Sequence, residues 1–183
     1  MTENNLKDEE VVAKVLAGEK ELFSFIVDKY EPMLMRYCLR LLGFHTQDAK
    51  DAVSNSLIKA YQNLASFKQN FKFSSWIYRI AHNEAITIWR KRQGFFSVDI
   101  SSFWPISAPE KDETNELKFE LLDKIFDKLN LNDKEVLTLF YLEEKPLKEI
   151  SDILKLSVNT VAVRLKRARN RSKELIKKMN YAQ

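Results

Sequence analysis

Cysteine occurs once in the 183 residues, as Cys38, so a disulfide within the chain is excluded. The thiol sits in the apolar helical stretch Leu34-Met35-Arg36-Tyr37-Cys38-Leu39, a setting that suits a buried structural residue better than a redox sensor. Histidine is nearly as scarce. His45 and His82 lie far apart, with no further Cys or His at ligand spacing, so neither a metal site nor a cofactor is expected. No apolar run approaches the roughly 18 residues of a membrane span. The acidic start, Met1 to Glu10, lacks the basic and apolar regions of a signal peptide, and a cytoplasmic protein is expected. There is no Gly-rich phosphate loop and no legible Ser-His-Asp order, so no enzyme, no catalytic residue and no small-molecule substrate are expected. Glycine appears only as Gly18, Gly43 and Gly94, each where a helical pattern stops and a left-handed cap would sit. Alternating apolar strands are missing too. What remains, 45% hydrophobic and 31% charged residues, predicts a globular all-α fold.

The formal charge of +4 conceals an uneven distribution. Residues 1–93 carry 14 Lys/Arg against 11 Asp/Glu, residues 94–145 carry 6 against 12, and residues 146–183 carry 10 against 3. A basic C-terminal block behind an acidic middle points to nucleic acid. The same run would also suit a solvated helix face.

Helical periodicity marks Leu6 to Ala17, then a segment from Leu22 to about Tyr30. Pro32 is expected to open a further helix, at the first turn where its missing N–H is harmless, running to the stop at Gly43. Thr46 is the expected N-cap of a helix from Asp48 to Ala65, with Ala49, Ala52, Val53, Ser56, Leu57, Ala60 and Leu64 facing inward. Ser66 to Phe73 breaks the pattern, and Ser74 or Ser75 caps a helix reaching Arg92. From Gln93 to about Thr114 periodicity collapses among Ser97, Ser101, Ser102, Pro105, Ser107 and Pro109, the composition of a linker. Beyond it lie a helix from Leu117 to Leu129, a second over Asp133 to Leu142 opened by an Asn132/Glu135 capping box, and a short third over Pro146 to Leu154. The tight connection Lys155-Leu156-Ser157 leads to a long basic helix from Val158. A short helix, a tight turn and a second helix form the helix-turn-helix signature. The expected architecture is therefore two small helical domains joined by a flexible linker: residues 1–93, a linker over 94–114, and a helix-turn-helix domain over 115–183.

At about 100° per residue, Val161, Leu165, Ala168 and Leu175 share one apolar face of the last helix. Asn159, Val163, Lys166, Arg167 and Asn170 lie opposite, flanked by Arg164, Arg169, Arg171 and Lys173. Such a helix fits a major groove, with amides and cations reading base edges between phosphate contacts.

The stretch from Glu149-Ile150-Ser151 through Leu156-Ser157-Val158-Asn159-Thr160-Val161, Arg164-Leu165 and Arg167-Ala168-Arg169 resembles region four of bacterial sigma factors, with its EIA…LGIS-x-GTV-x-SRL-x-RAR pattern. The resemblance implies that this domain reads the promoter minus-35 element through Asn159, Thr160, Val163, Arg164, Lys166, Arg167, Asn170 and Arg171, and holds the polymerase beta flap. Asn159 replaces the usual glycine and Val163 the usual serine, departures that bear on which bases are preferred.

The first half is similar to region two of the same family. Asp48-Ala49-Lys50-Asp51-Ala52-Val53, Leu57-Ile58-Lys59-Ala60-Tyr61 and Asn63-Leu64 resemble DAEDLVQEVFLKAYRNL, the segment that binds the clamp helices of the beta-prime subunit. That implies core-polymerase contacts by Asp48, Asp51, Asn55 and Lys59, where carboxylates meet arginine on a partner coiled coil. Asp48 would equally favour the positive end of its own helix. Ser54-Asn55 stands where the family has Gln-Glu. Phe73-Ser74-Ser75-Trp76-Ile77-Tyr78-Arg79-Ile80-Ala81-His82-Asn83 resembles F-x-TWLYRIA-x-N. Promoter opening needs a base to leave the stack into a pocket with aromatic support. Lys68, Gln69, Asn70, Phe71 and Lys72 of the loop, with Arg79, Asn83 and Arg90 of the helix, are the expected minus-10 residues. Trp76 and Ile80 share the inward spacing and belong to the core, and Thr87 replaces an aspartate common in the family.

The linker is too short for the extra helical domain of primary sigma factors, which places the resemblance with the extracytoplasmic-function (ECF) group. The apolar Phe103-Trp104-Pro105 within it would dock on one of the domains or contact a partner. Such factors act with core RNA polymerase on promoter DNA, and the group implies an anti-sigma factor. Two other classes stand against this reading. A stand-alone helix-turn-helix regulator would need a sensor or dimerisation domain where residues 7–92 carry the sigma pattern. A nucleic-acid enzyme would need paired carboxylates, metal ligands or a phosphate loop.

Overall fold

The computed structural model describes residues 6–68, 70–92, 125, 126 and 128–180. Gly94, the linker with Phe103-Trp104-Pro105, and most of the helix expected over Leu117 to Leu129 lie outside the described residues. All regular structure among the described residues is helical.

Helix α1 (Asp8–Leu16) opens with Asp8, Glu9 and Glu10 at its positive end and buries Val11, Val12 and Val15. Helix α2 runs unbroken from Phe23 to Leu41, whereas Pro32 is expected to divide it. The stripe Ile26, Tyr30, Leu34, Tyr37, Cys38 and Leu41 is buried along its whole length, and Pro32 lies on the exposed side. There water can take up the carbonyl that the proline leaves without a donor. Continuous packing outweighs the local breaker. The helix ends at Gly43 and Phe44, both with positive φ (64° and 60°), and Phe44 N–H donates to the Leu39 carbonyl at 2.7 Å. This is the six-to-one bond of a Schellman cap.

Helix α3 spans Thr46–Gln62, with His45 rather than Thr46 at the cap position. Its inner face is Ala49, Ala52, Val53, Ser56 and Ala60, residues small enough to let α2 and the following helix approach closely. Helix α4 (Phe73–Arg92) buries Phe73, Ser75, Ile77, Tyr78, Ala81 and Ala85. Glu9 of α1 accepts from the Phe73 N–H at 2.9 Å, so a carboxylate from another helix caps this N-terminus. Phe67, Phe73 and Trp76 form a ring cluster at 5.4–5.6 Å, joined by Tyr30 at 5.7 Å. Trp76 and Ile80 are half-buried against the core, as their spacing suggests.

In the C-terminal half, helix α5 covers Leu131–Leu137 and continues as a π turn over Thr138–Leu142. Its cap is Asn130, whose side chain accepts from Asp133 N–H at 3.0 Å. The expected cap, Asn132, is exposed two residues too late, and Glu135 is buried elsewhere. Helix α6 (Leu147–Leu154) follows Pro146. Lys155 turns the chain with φ 53°. Ser151 secures the turn by accepting from Leu156 N–H at 3.1 Å and donating its hydroxyl to the Leu156 carbonyl. Ser157 then accepts from Thr160 N–H at 3.1 Å, capping α7 (Val158–Asn180).

The halves are packed together. Leu139, Ile150, Ile153 and Val161 belong to the same buried cluster as the side chains of α1 to α4, and α4 lies along α6. A second, smaller cluster (Ile125, Phe126, Leu129, Val136, Leu137, Leu165 and Ala168) belongs to the C-terminal half alone.

Candidate nucleic-acid interface

Helix α7 separates its faces as the periodicity predicts. Val161, Leu165 and Ala168 are buried, while Asn159, Thr160, Val163, Lys166, Arg167 and Asn170 are exposed on the far side. Val163, 49% exposed, is an apolar group among polar ones, the kind of contact a thymine methyl accepts. Two of the expected residues are partly occupied within the chain. Arg164 lies 3.3 Å from Asn132 Oδ1 and 3.9 Å from Glu135 Oε2, and Arg171 pairs with the buried Asp133. Arg169 stacks over Phe140 and Tyr141 at 5.3 Å, which holds α7 to the π turn.

On the N-terminal half, Lys68, Asn70 and Phe71 are exposed in the loop before α4, while Gln69 lies outside the described residues. Asn83 is exposed and borders a shallow cavity of about 250 Å³ with Lys59, Asn63, Ser66, Trp76, Ile80 and Glu84. Arg90 is exposed one turn further on from Ile86. Lys72 and Arg79 are differently placed. Lys72 Nζ is 2.6 Å from Glu149 Oε1, and the Arg79 guanidinium donates to the Asp152 carbonyl, its Nε at 2.8 Å. The structure thus divides the expected minus-10 group into a free part and a part held by α6.

Asp51 and Asn55 are exposed on α3, and Asp51 accepts from Gln47 at 3.0 Å. Asp48 pairs with Arg92 at 3.0 Å and Lys59 with Glu84 at 2.6 Å. Ile58 is 54% exposed beside them. It was missed as a surface feature, although an apolar pair such as Leu57-Ile58 must present one member outward on a helix with a single inner face.

Sequence reasoning also missed the acidic groups of the C-terminal half that meet the N-terminal half. Glu143, 7% exposed, accepts from the Tyr78 hydroxyl and lies 3.7 Å from Arg36. Burial pushes its carboxyl up, against the pull of Tyr78 and Arg36. Glu135 lies 3.9 Å from His82 Nε2. Burial raises the Glu135 carboxyl to about 7, countered by Arg164 and Arg90, and lowers His82 to about 4 with help from Arg90. His82 keeps a hydrogen bond between its Nδ1 and the Tyr37 hydroxyl at 3.0 Å. The only signal for this set was the negative balance of residues 94–145. Among the described residues, no group of three or more His, Cys, Asp or Glu side chains is arranged to hold a metal ion, and no helix is long and apolar enough to cross a membrane.

Two helical regions, the second a helix-turn-helix with an open polar and basic face, define a two-part DNA-binding protein. Comparison with known proteins sharpens that class. The sigma-70 region 2 family matches residues 26–95 and the sigma-70 region 4 family matches residues 119–171. The chain is 35% identical over 170 residues to the ECF RNA polymerase sigma factor SigW of Bacillus subtilis, covering 86% of this chain and 90% of that one. It is 31% identical over 180 residues to the ECF RNA polymerase sigma-E factor of Haemophilus influenzae, covering 90% and 92%. Among solved structures, the sigma factor RpoE of Bartonella quintana, determined with the anti-sigma factor NepR, superposes with a TM-score of 0.67 at 24% identity, over 85% of this chain and 96% of that one. CnrH, determined with the cytosolic domain of CnrY, gives 0.71 at 22% identity, over 93% and 97%. The chain belongs to the ECF family of RNA polymerase sigma factors. It is a promoter-recognition factor, and not a stand-alone regulator.

Proposed function

We propose that residues 1–93 bind core polymerase and melt the minus-10 element, that residues 115–183 read the minus-35 element, and that residues 94–114 connect them. The observation that carries this division is the outward row of α7, Asn159, Thr160, Val163, Lys166, Arg167 and Asn170, free above a buried apolar stripe. Asn83, beside its shallow cavity and downstream of exposed Phe71, is suited to hold a base that has left the stack. Lys68, Asn70 and Arg90 would hold the backbone. The exposed edge of α3, with Asp51, Asn55 and Ile58, offers carboxylate and apolar contacts to the beta-prime clamp helices. The chain contributes no catalytic group of its own and works in the cytoplasm, where polymerase is. An anti-sigma factor is the fitting regulator, since the group implies one and RpoE was solved with one.

The test is run-off transcription with core polymerase on a genomic promoter library, followed by gel shift with and without core. Defined start sites that require both the chain and core are expected. Tight, dimeric, polymerase-independent binding to duplex DNA would refute the reading. Asp51→Arg should weaken holoenzyme assembly, and unchanged assembly would remove α3 from the polymerase interface.

A further inference from the structure

The arginines that flank the outward face of α7 are each engaged by the segment that precedes the helix-turn-helix. On one edge, Arg169 lies over the rings of Phe140 and Tyr141. On the other, Arg164 reaches Asn132 Oδ1 at 3.3 Å, and Arg171 Nη1 pairs with Asp133 Oδ2. Arg164 and Arg171 stand seven residues apart and so share that edge of α7, next to outward Arg167. Asp133 is only 4% exposed, whereas the Arg171 side chain is 52% exposed. Val136, Leu137, Leu165 and Ala168 lie in one buried cluster, which fixes the spacing of α5 and α7 around this pair.

Such a pair could mask Arg171 or position it, and burial decides between the two. A masking carboxylate would have to release Arg171 to DNA and stay behind charged, buried and without its partner, which is strongly unfavourable. A guanidinium carries more N–H donors than one carboxylate takes, in a planar fork. Those left over lie on the exposed side. Resting on the reading of α7 as the minus-35 helix, we propose that Asp133 is a positioning residue for DNA. It holds the Arg171 guanidinium at the edge of α7, where the remaining N–H groups meet a backbone phosphate beside the bases read by the outward row. Arg171 lies well beyond the first turns of α7, where a recognition helix contacts the sugar–phosphate backbone rather than base edges. Fixing a long side chain before DNA arrives removes the entropy that a free cation would lose on binding.

The test uses the full chain assembled with core polymerase and a fluorescein-labelled duplex promoter fragment whose start site the run-off library maps. Affinity is followed across potassium chloride concentrations, and the assembled fraction of each variant is measured separately. Arg171→Ala should weaken binding on the order of threefold and lower the slope of log affinity against log salt by about one, the loss of one phosphate contact. Asp133→Asn should do the same, and the double variant should bind no more weakly than either single one. A purely structural role for Asp133 would lower the assembled fraction and keep the full slope, and a masking role would tighten binding; either result overturns the proposal. Arg171→Lys alters only an exposed side chain and keeps the charge, but its ammonium lacks the fork that serves a carboxylate and a phosphate together. It should bind as weakly as Arg171→Ala, and wild-type affinity would overturn positioning whether or not Asp133→Asn folds. On the same fragment cut short of its minus-35 element, these variants should match the wild type, and a difference that persists there would also count against the assignment. If Lys166→Ala and Arg167→Ala leave binding to the complete fragment unchanged, the minus-35 reading itself fails. If they weaken it while Arg171→Ala does not, only the role given to Asp133 and Arg171 falls.

Discussion

The two halves of this sigma factor are stabilised by different means. The N-terminal half closes four helices on an aromatic centre, with Tyr30, Tyr37, Phe73 and Tyr78 fully buried and small residues on α3 bringing the helices close. The C-terminal half has a thin core of its own and gives Leu139, Ile150, Ile153 and Val161 to its neighbour's. One half is a platform that supplies most of the shared core. The other carries the outward polar and basic row of α7 on a single helix and obtains part of its order from the platform.

The sharpest way to break that contrast is to truncate each core. Leu34→Ala should cost about 2–5 kcal/mol by denaturant unfolding, with the transition of the whole chain shifted. Ile150→Ala should cost a comparable amount but also separate the halves, seen as lost energy transfer between dyes placed on the two halves, which Leu34→Ala leaves in place below its transition. On the functional side, Arg167→Ala or Lys166→Ala should lose about 1–3 kcal/mol per base-reading contact in minus-35-dependent transcription. Asn83→Ala should instead impair opening, measured by permanganate reactivity, more than initial binding. Equal loss of both steps for all three variants would erase the division of labour.

The joint itself should respond to pH. Glu135 is raised to about 7 in the packed structure from an ordinary carboxylate value near 4.5, so its protonated form favours the closed arrangement. That contribution is complete below about 4.5 and is lost as pH rises through about 7. His82, lowered to about 4 from 6.5, favours closure as the neutral ring and loses that contribution as pH falls from 6.5 toward 4. Above pH 6.5 His82 no longer contributes, and Glu143, whose carboxyl burial also raises, acts in the same sense as Glu135. Raising pH from 6.5 to 8 should shift the opening equilibrium toward the open form on the order of threefold through Glu135 alone, read by energy transfer between dyes placed on the two halves, and Glu135→Gln should remove that share. The smallest effect is expected at the turn: Lys155→Gly relieves a left-handed lysine but frees the unfolded chain, for a net gain of about 0.5 kcal/mol in urea unfolding.

Local chemistry was the legible part. Gly43 stops α2, and the α6-turn-α7 spacing and both faces of α7 follow from residues within a few positions of one another. Pro32 misled because helix breaking is local while the stripe from Ile26 to Leu41 is held by other helices. Asn132 misled for a smaller reason, since Asn130 offers the same capping chemistry two residues earlier and the periodicity does not fix the first turn. Lys72 and Arg79 could be recognised as candidate DNA contacts, but not as residues engaged by Glu149 and Asp152. That pairing depends on which distant surface meets α4, and no spacing rule within a helix contains it.

Cys38 is fully buried in the shared core, and burial pushes its thiol up to about 12, with Glu143 adding to the shift. In the folded protein it is neither reachable nor ionised, so cysteines introduced at the surface carry a probe alone. The same thiol becomes available only when the shared core around it opens. Its rate of modification by a thiol reagent is therefore an intrinsic clock for breathing of that core.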